Sequence, residues 1–445
     1  MHDVKEHTFL QRLRSADPVG RTGRVRRIFP TYVEADGPGV PLGTLCEIEA
    51  RSPRRHEPGG SVLAEVVSVN RDAVVLVPFD EQLATFPGAT VSACSDAHAA
   101  PVGDVFLGRA VDALGRPIDG RPIRTREYRP HSRTGTSPLA RTSPKIILET
   151  GVRAIDGLLT LGQGQRIGVF AASGVGKTSL MSQLARQIDA DCCVVCLVGE
   201  RGREVEALWS EGLSDETRRR TTLVAATSDE TAAMRVRAGH YALALADHWR
   251  QQGKHVLLLL DSVTRLAMAM REIGLAAGEP PTVRAYTPSV FATIPKLVER
   301  CGMLKSGGSI TAIMTVLSET DDVDDPISEM MKSLLDGHII LSRALAEQGH
   351  FPAIDVLKSV SRQASGLMAD SHREQAEKAL ALLSVHESSR TLIEAGIYAK
   401  GSNSEIDRAI ERWPALTSFL KQRQNERSSY TDTSEKIASL MGGGR

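Results

Sequence analysis

Hydrophobic residues are spaced differently in three successive stretches of the chain. Residues 20–97 carry short runs of Val, Ile and Leu, interrupted by turn sequences such as Asp36-Gly37-Pro38-Gly39. Short strands that alternate with turns are typical of small all-β barrels. This stretch therefore predicts a β-barrel domain over residues 20–97, and we assign residues 1–19 before it to an N-terminal tail.

The middle stretch alternates apolar, strand-like runs with amphipathic segments of helix length. Five such runs occur at residues 166–170, 192–198, 222–226, 256–260 and 310–316. Alternating β and α elements indicate a mainly parallel sheet covered by helices on both faces. The Pro-, Arg- and Ser-rich residues 107–147 are typical of a connection. We assign residues 98–365 to this α/β domain.

Strand patterns almost vanish after Arg362. Residues 371–385, 388–395 and 405–424 carry helical patterns instead, and the glycines at 442–444 are typical of a frayed chain end. The sequence therefore predicts a helical C-terminal domain over residues 366–445. The overall fold class is α/β, with a small barrel before the sheet domain and helices after it.

The composition of the 445-residue chain narrows the functional classes. Lys and Arg number 54, and so do Asp and Glu, so no net charge attracts the chain to nucleic acid or to a membrane surface. Aromatic residues make up 4%, which argues against a surface that stacks single-stranded bases. Because the sequence shows no run of about 18 apolar residues and no signal-peptide pattern, we expect a soluble cytoplasmic protein.

Three of the six cysteines lie in one apolar run, at Cys192, Cys193 and Cys196. A zinc site there would need a second pair of ligands and a loop to hold it, and the sequence offers neither. We therefore expect these residues to be buried in a strand as small hydrophobic side chains.

A P-loop pattern follows the run at 166–170. The sequence Ala171-Ala172-Ser173-Gly174-Val175-Gly176-Lys177-Thr178 matches it, with Ala171 in place of the first Gly, and a helical pattern begins with Ser179. Glycines let the backbone approach phosphate oxygens, so that N–H groups and the helix N-terminus surround the anion. The pattern predicts an ATP site in which Lys177 reaches the β- and γ-phosphates and the Thr178 hydroxyl binds Mg²⁺.

Two further strands end in charged residues. Asp261 follows the run at 256–260, where a carboxylate faces the Mg²⁺ of a P-loop. The run at 192–198 is followed by Gly199-Glu200-Arg201-Gly202-Arg203, in which Glu200 can orient an attacking water and an adjacent guanidinium can meet the γ-phosphate. A solvated charge cluster is the open alternative for this second motif.

These motifs resemble the hexameric ATPases related to the catalytic β subunit of the rotary ATP synthase. Within that group they resemble the ATPases of type III protein export, which serve the flagellum and the injectisome. The resemblance covers about residues 20–425. Besides the P-loop and residues 199–205, the matching stretches are residues 107–112, 115–120, 149–156, 261–265, 278–281, 288–292, 335–343 and 351–355.

The resemblance implies a role for each site residue. Glu200 activates the attacking water, Arg201 and Arg265 are cations on the γ-phosphate side, and Lys177, Thr178 and Asp261 bind phosphate and Mg²⁺. Ser173, Gly174, Val175, Gly176 and Ser179 complete the phosphate loop. Phe351 packs on adenine, and Arg362 reaches the nucleotide of a neighbouring subunit.

The resemblance also implies an assembly and its partners. Because a single chain carries both Glu200 and Arg362, identical subunits can complete every site at a heterologous interface, and we expect a homohexamer. Its implied partners are export-gate and central-stalk proteins, a stator-type regulator, and secretion chaperones with their cargo. No nucleic acid is expected, and the place of action is the cytoplasmic side of the inner membrane export apparatus, with peripheral association.

Three rival interpretations remain at this point. A β subunit of a rotary synthase shares the nucleotide site, but its acidic stalk-contact loop is not evident among the C-terminal helices. A ring-shaped RNA translocase of the terminator type also carries an Asp-Ser-x-Thr-Arg run, but needs clustered aromatic residues in its N-terminal domain. A regulatory, non-hydrolysing subunit is disfavoured by Glu200.

Overall fold

The computed structural model describes residues 20–51, 60–81, 84–94, 99–130, 137–317 and 325–442. The predicted N-terminal tail and the glycines after Gly442 lie outside these ranges. The domain boundaries at 97/98 and 365/366 stay a prediction.

A closed barrel of six antiparallel strands occupies the N-terminal part of the described chain. Alternate side chains of a strand point to the same face, and the buried Val33, Ile48, Leu76 and Val91 fill the barrel interior. The predicted β-barrel is thereby confirmed. In the order in which they pair around the barrel, the strands are β1 (Thr22–Ile28), β2 (Val33–Ala35), β5 (Val74–Pro78), β4 (Ser61–Val69), β3 (Leu45–Glu49) and β6 (Thr90–Ala93).

Two short antiparallel ribbons lie outside the barrel and the large sheet. One joins β7 (Ala99–Val102) to β9 (Glu127–Pro130), and the other joins β11 (Ile147–Leu148) to β12 (Leu161–Gly162). Both involve the stretch that the sequence predicted to be a connection, so part of that stretch is strand.

A ten-stranded sheet forms the centre of the molecule, and the pairings between its inner strands are parallel. Its main path has the order β20-β19-β13-β18-β16-β14-β15-β8, and β17 joins β10 to β18 at the side. The strands are β8 (Arg109–Val111), β10 (Arg141–Thr142), β13 (Arg166–Ala171), β14 (Cys192–Val198), β15 (Thr221–Ala226), β16 (His255–Asp261), β17 (Gly302–Leu304), β18 (Ser309–Leu317), β19 (Gly337–Leu341) and β20 (Ile354–Ser361).

Helices cover both faces of this sheet, so every residue of the central strand β14 is buried. Cys192 and Cys196 belong to the hydrophobic cluster on one face, and Cys193 belongs to the cluster on the other. Burial raises the pKa of the Cys192 thiol to about 11 and that of the Cys193 thiol to about 12. The expected fold class and the expected buried cysteines are both confirmed.

The helices of the middle region pack between and over these strands. None of the helices in the described ranges is long and apolar enough to cross a membrane. Their bounds are Arg153–Leu158, Lys177–Gln187, Gly202–Ala207, Asp215–Arg219, Ala232–Gln251, Val263–Ala276, Pro288–Arg300, Pro326–Leu334, Arg343–Glu347 and Ala364–Leu367.

The C-terminal region is helical, as predicted, with different bounds. The helices are Asp370–Glu394, Ser404–Leu420 and Tyr430–Gly442. The first is continuous where the sequence pattern suggested two segments, and the third was not predicted. The second ends at Leu420 although the pattern extends to residue 424, so residues 421–424 are available for contacts with the middle region.

The sheet topology brings the sequence motifs together. In parallel strands the carboxyl ends meet at one edge of the sheet, which is where ligands bind in open α/β folds. The P-loop follows β13, Glu200 follows β14, and Asp261 is the last residue of β16. All three therefore lie at the same edge.

Candidate nucleotide-binding site

The P-loop connects β13 to the helix Lys177–Gln187 in a conformation that suits glycine. Gly174 has φ 82° and Gly176 has φ 93°, both in the left-handed region that other residues rarely adopt. A Cβ atom added to Gly174 would have no atom of the described residues within 4 Å. This open space lies beside a helix N-terminus, where unpaired N–H groups favour an anion.

The side chains of the P-loop divide into anchored and exposed groups. Val175 is buried at 2% exposure in the hydrophobic cluster of its sheet face. Ser173, Thr178 and Ser179 are exposed, and their hydroxyl groups are accessible to a ligand. The loop therefore presents polar groups to solvent while its backbone is fixed to the core.

Lys177 contacts two carboxylates from neighbouring strands. Its Nζ lies 2.5 Å from Asp261 Oδ1 and 3.3 Å from Glu200 Oε1. The Lys177 side chain is 12% exposed, and each carboxylate side chain is 6% exposed. The structure thus brings three of the predicted site residues into direct contact.

Arg265 completes this charge cluster. It lies in the first turn of the helix Val263–Ala276, whose N-terminus is capped by the Ser262 hydroxyl accepting from the Arg265 N–H. Its Nε is 3.4 Å from Glu200 Oε1, and its guanidinium donates to the carbonyl of Gly199. Glu200 is therefore held between Lys177 and Arg265, and the four side chains carry two positive and two negative charges.

Thr315 is a site residue that the sequence analysis missed. Its hydroxyl donates to Asp261 Oδ1 at 2.7 Å, and the residue is fully buried. Thr315 lies in β18, the strand between those that carry the P-loop and Asp261. Its only signal in the sequence is a hydroxyl residue within an otherwise apolar run.

Arg201 does not join the cluster in this chain. Its side chain is 64% exposed, and its ion pair is with Glu204, with 3.9 Å between Nη1 and Oε1. The backbone places it next to Glu200, but its guanidinium points to solvent.

Phe351 lies on the other side of the P-loop. A Cβ atom on Gly176 would be 3.8 Å from two atoms of the Phe351 ring, which is 48% exposed. The ring borders a cleft of about 680 Å³ that is also lined by Gln422, Arg423 and Gln424, which form part of its wall. A flat ring beside a phosphate loop suits the packing of a nucleotide base. The sequence analysis assigned these wall residues to a helix and missed them.

Arg362 lies at the opposite end of the sheet. Its N–H donates to the carbonyl of Asp336, and Asp336 in turn donates to the carbonyl of Arg166, the first residue of β13. The P-loop begins at the last residue of this six-residue strand, which at about 3.3 Å per residue is roughly 17 Å away. The exposed Arg362 guanidinium donates to the Lys332 carbonyl at 3.0 Å.

The donor atoms at the carboxyl edge fit Mg²⁺. This ion prefers oxygen ligands and is usually held by one or two protein groups together with phosphates and water. Asp261 offers a carboxylate and Thr178 an exposed hydroxyl. Among the described residues, His, Cys, Asp and Glu form no group of three or more that could hold a metal, so the part of the chain seen here contains no all-protein cage of that kind.

Comparison with known families agrees with this geometry. The model of the ATP synthase alpha/beta family, nucleotide-binding domain, matches residues 151–361. The model of the T3SS EscN ATPase C-terminal domain matches residues 368–439. The two matches cover the sheet region and the C-terminal helices.

Full-length relatives show the same similarity. The flagellum-specific ATP synthase of Bacillus subtilis is 42% identical over 446 residues, covering 99% of each chain. The type 3 secretion system ATPase of Xanthomonas euvesicatoria is 42% identical over 437 residues, covering 97% of each.

Two solved structures of the ATPase EscN from enteropathogenic E. coli are also similar. The assembled EscN has a TM-score of 0.88 and 39% identity, over 94% of this chain and all of that one. The assembled EscN in complex with its central stalk EscO has a TM-score of 0.85 and 38% identity, with the same coverage.

Proposed function

Because the chain is an ATPase that belongs to the family of flagellum-specific ATP synthases and type III secretion ATPases, we propose that it forms a homohexameric ring that hydrolyses Mg²⁺-bound ATP to drive type III protein export. The observation that carries this proposal is the separation of two groups of site residues. Lys177, Glu200 and Asp261 meet at the carboxyl edge of the sheet, while Arg362 lies exposed at the other end.

The carboxyl-edge residues supply the chemistry of hydrolysis. Glu200 orients the attacking water, and Lys177 and Arg265 neutralise the negative charge that develops on the γ-phosphate. Thr178 and Asp261 would hold Mg²⁺, which when bound would offset the negative charge of the phosphates. The Asp261 carboxylate, which contacts Lys177 in the structure, would supply an oxygen ligand to the ion, and the Lys177 ammonium would supply a positive charge to the phosphates.

Arg362 serves the site of a neighbouring subunit. A guanidinium from an adjacent subunit can stabilise the charge of the transition state although it belongs to a different chain from the P-loop. Head-to-tail contacts of this kind close into a ring of identical subunits. Arg201 is proposed as a further cation on the γ-phosphate side, and in the single chain its side chain is exposed to solvent.

The proposed partners follow the family. EscN is seen assembled and in complex with its central stalk EscO, and we propose that this chain also assembles, as a ring around a stalk protein. The remaining proposed partners are export-gate proteins, a stator-type regulator, chaperones and their cargo, met at the cytoplasmic side of the inner membrane. The ring would release chaperones and deliver or unfold cargo, with no role for nucleic acid.

A role in protein export is better supported than the rival interpretations. The family match over residues 368–439 is to the C-terminal domain of a type III secretion ATPase, a region in which a rotary synthase subunit would carry its stalk-contact loop. Identity to the flagellar and the secretion relative is equal at 42%, so the two export systems are not separated by this comparison.

Concentration dependence tests the proposal. We expect ATP hydrolysis per subunit to rise steeply as the purified chain is concentrated from monomer to ring, with the two states verified by light scattering. A chain that hydrolyses ATP as fast when monomeric as when assembled would contradict a site completed by Arg362 of a neighbour.

A further inference from the structure

One segment of the C-terminal region reaches back to the P-loop. Residues 421–426, here called the strap, follow the helix Ser404–Leu420 and form one wall of the cleft beside Phe351. The Gln422 N–H donates to the Phe351 carbonyl at 2.8 Å, and Gln424 Nε2 donates to the Ser179 carbonyl at 3.4 Å. The strap therefore contacts both Phe351 and the helix that follows the P-loop.

Arg153, from the middle region, lines the same cleft and holds the strap in place through its guanidinium. This arginine is 7% exposed, and its three guanidinium nitrogens have separate partners. Nε donates to the Phe419 carbonyl at 2.8 Å, Nη2 donates to the Lys421 carbonyl, and Nη1 pairs with the Glu426 carboxylate.

These contacts satisfy backbone groups that helices leave unpaired at their ends. Phe419 is in the last turn of Ser404–Leu420, where carbonyls have no partner within the helix. Arg153 opens the helix Arg153–Leu158, and its N–H donates to Gln422 Oε1 at 2.8 Å. Each region thus caps a helix of the other, and Gln422, at 5% exposure, is buried in the joint.

The same contacts form a continuous connection to the phosphate loop. Gln422 is bonded to the carbonyl of Phe351, and the Phe351 ring lies against Gly176. A shift of the strap would therefore move the base-binding side of the cleft. Lys177, Glu200 and Asp261 are held by contacts with one another at the carboxyl edge, and the strap reaches their helix only through the backbone carbonyl of Ser179.

We propose that Arg153 is a positioning residue for the nucleotide base: it fixes the strap against Phe351 and so sets the affinity for the base without acting on the phosphates. The inference rests on the proposed function, because it takes the cleft beside the P-loop to be the base site. The same contacts connect the C-terminal helices directly to the site that the nucleotide base would occupy.

The test compares two ligands that share a triphosphate. For the full-length ring, we expect Arg153→Ala to raise the KM for Mg²⁺-ATP by about tenfold or more, since hydrogen bonds to charged groups are lost, while kcat stays within about twofold. Inhibition by Mg²⁺-tripolyphosphate, which lacks a base, should be unchanged. Arg427→Ala is the matched control, because Arg427 follows the strap but pairs with Glu149 at an exposed position.

Conservative variants keep the test valid if Arg153→Ala does not fold. Arg153→Lys retains the charge but cannot bond all three partners of the guanidinium. Glu426→Gln removes one charged partner. Both variants should raise the KM for ATP by less than the alanine variant does, and both should leave inhibition by tripolyphosphate unchanged. Equal weakening of both ligands, or no change in the KM for ATP, would overturn the inference. ATP hydrolysis that survives Lys177→Ala in an otherwise wild-type chain would instead refute the proposed function.

Discussion

The carboxyl and amino ends of the strands in the central sheet differ in how many of the proposed site residues they bring into contact. At the carboxyl end, Lys177, Glu200 and Asp261 touch one another with side chains 6–12% exposed. At the amino end, Arg362 is exposed and bonded to a backbone carbonyl of the same chain. The contrast teaches that a single chain brings together the groups proposed to bind a nucleotide, while one cation proposed for hydrolysis faces outward.

Removal of the P-loop lysine should have the largest effect. Lys177 is the ammonium closest to both carboxylates and is proposed to bind the β- and γ-phosphates. We expect Lys177→Ala to reduce hydrolysis by about a thousandfold or more and to weaken ATP binding, as measured by steady-state phosphate release and calorimetry. Retention of both would show that the carboxyl end is not the phosphate site.

Replacement of the proposed water-orienting carboxylate should separate binding from turnover. Glu200→Gln keeps the size of the side chain but removes its charge, so we expect ATP to bind while kcat falls by about a hundredfold or more. Equilibrium binding of ATP and single-turnover kinetics check the two parts. Near-normal turnover would exclude Glu200 from the chemistry.

Mixed rings test the contrast between the two ends directly. Arg362→Ala alone should lower activity while the ring still assembles. In an equal mixture of Arg362→Ala and Lys177→Ala subunits, about a quarter of the interfaces join an intact carboxyl end to an intact Arg362, so activity should reappear.

The matched control places both changes at the same end. A mixture of Glu200→Gln and Lys177→Ala subunits has no interface with an intact carboxyl end, and it should stay inactive. If neither mixture recovers activity although both form rings, Arg362 does not complete a neighbouring site.

The smallest expected effect is the difference in kcat between variants of the two candidate cations near Glu200. Arg265 lies 3.4 Å from Glu200, whereas the Arg201 side chain is 64% exposed. We expect Arg265→Ala to lower kcat by about tenfold more than Arg201→Ala, since partly buried charge contacts are worth more than exposed ones. Equal losses in the assembled ring would indicate that a neighbouring subunit brings Arg201 into the site.

The strands and the P-loop were predictable because their signals are local. The predicted run at 192–198 coincides with β14, whose residues are all buried, and the predicted runs at 166–170 and 256–260 fall within β13 and β16. The meeting of Lys177, Glu200 and Asp261 follows from the parallel order of those strands.

Contacts between distant parts of the chain account for what was not predicted. Thr315 joins the site only because β18 inserts between β13 and β16, and strand order is not a local signal. The helical pattern extends over residues 405–424, but the helix ends at Leu420. In its last turn, the Phe419 carbonyl accepts a hydrogen bond from Arg153, which lies 266 residues earlier in the chain. Arg362 was placed by resemblance, and its distance from the P-loop is visible only in the folded chain.

Burial of the cysteines makes the native thiols poor targets for alkylating reagents. Thiolates are the reactive form, and burial raises the pKa of Cys46 and of Cys301 to about 12 and also raises the pKa of each thiol in β14. Only Cys94 is less than fully enclosed. Once the partly exposed Cys94 is replaced, a fluorophore or crosslinker attached through an introduced surface cysteine should label one chosen position, and subunit contacts can be mapped without removing the five buried sulfhydryl groups.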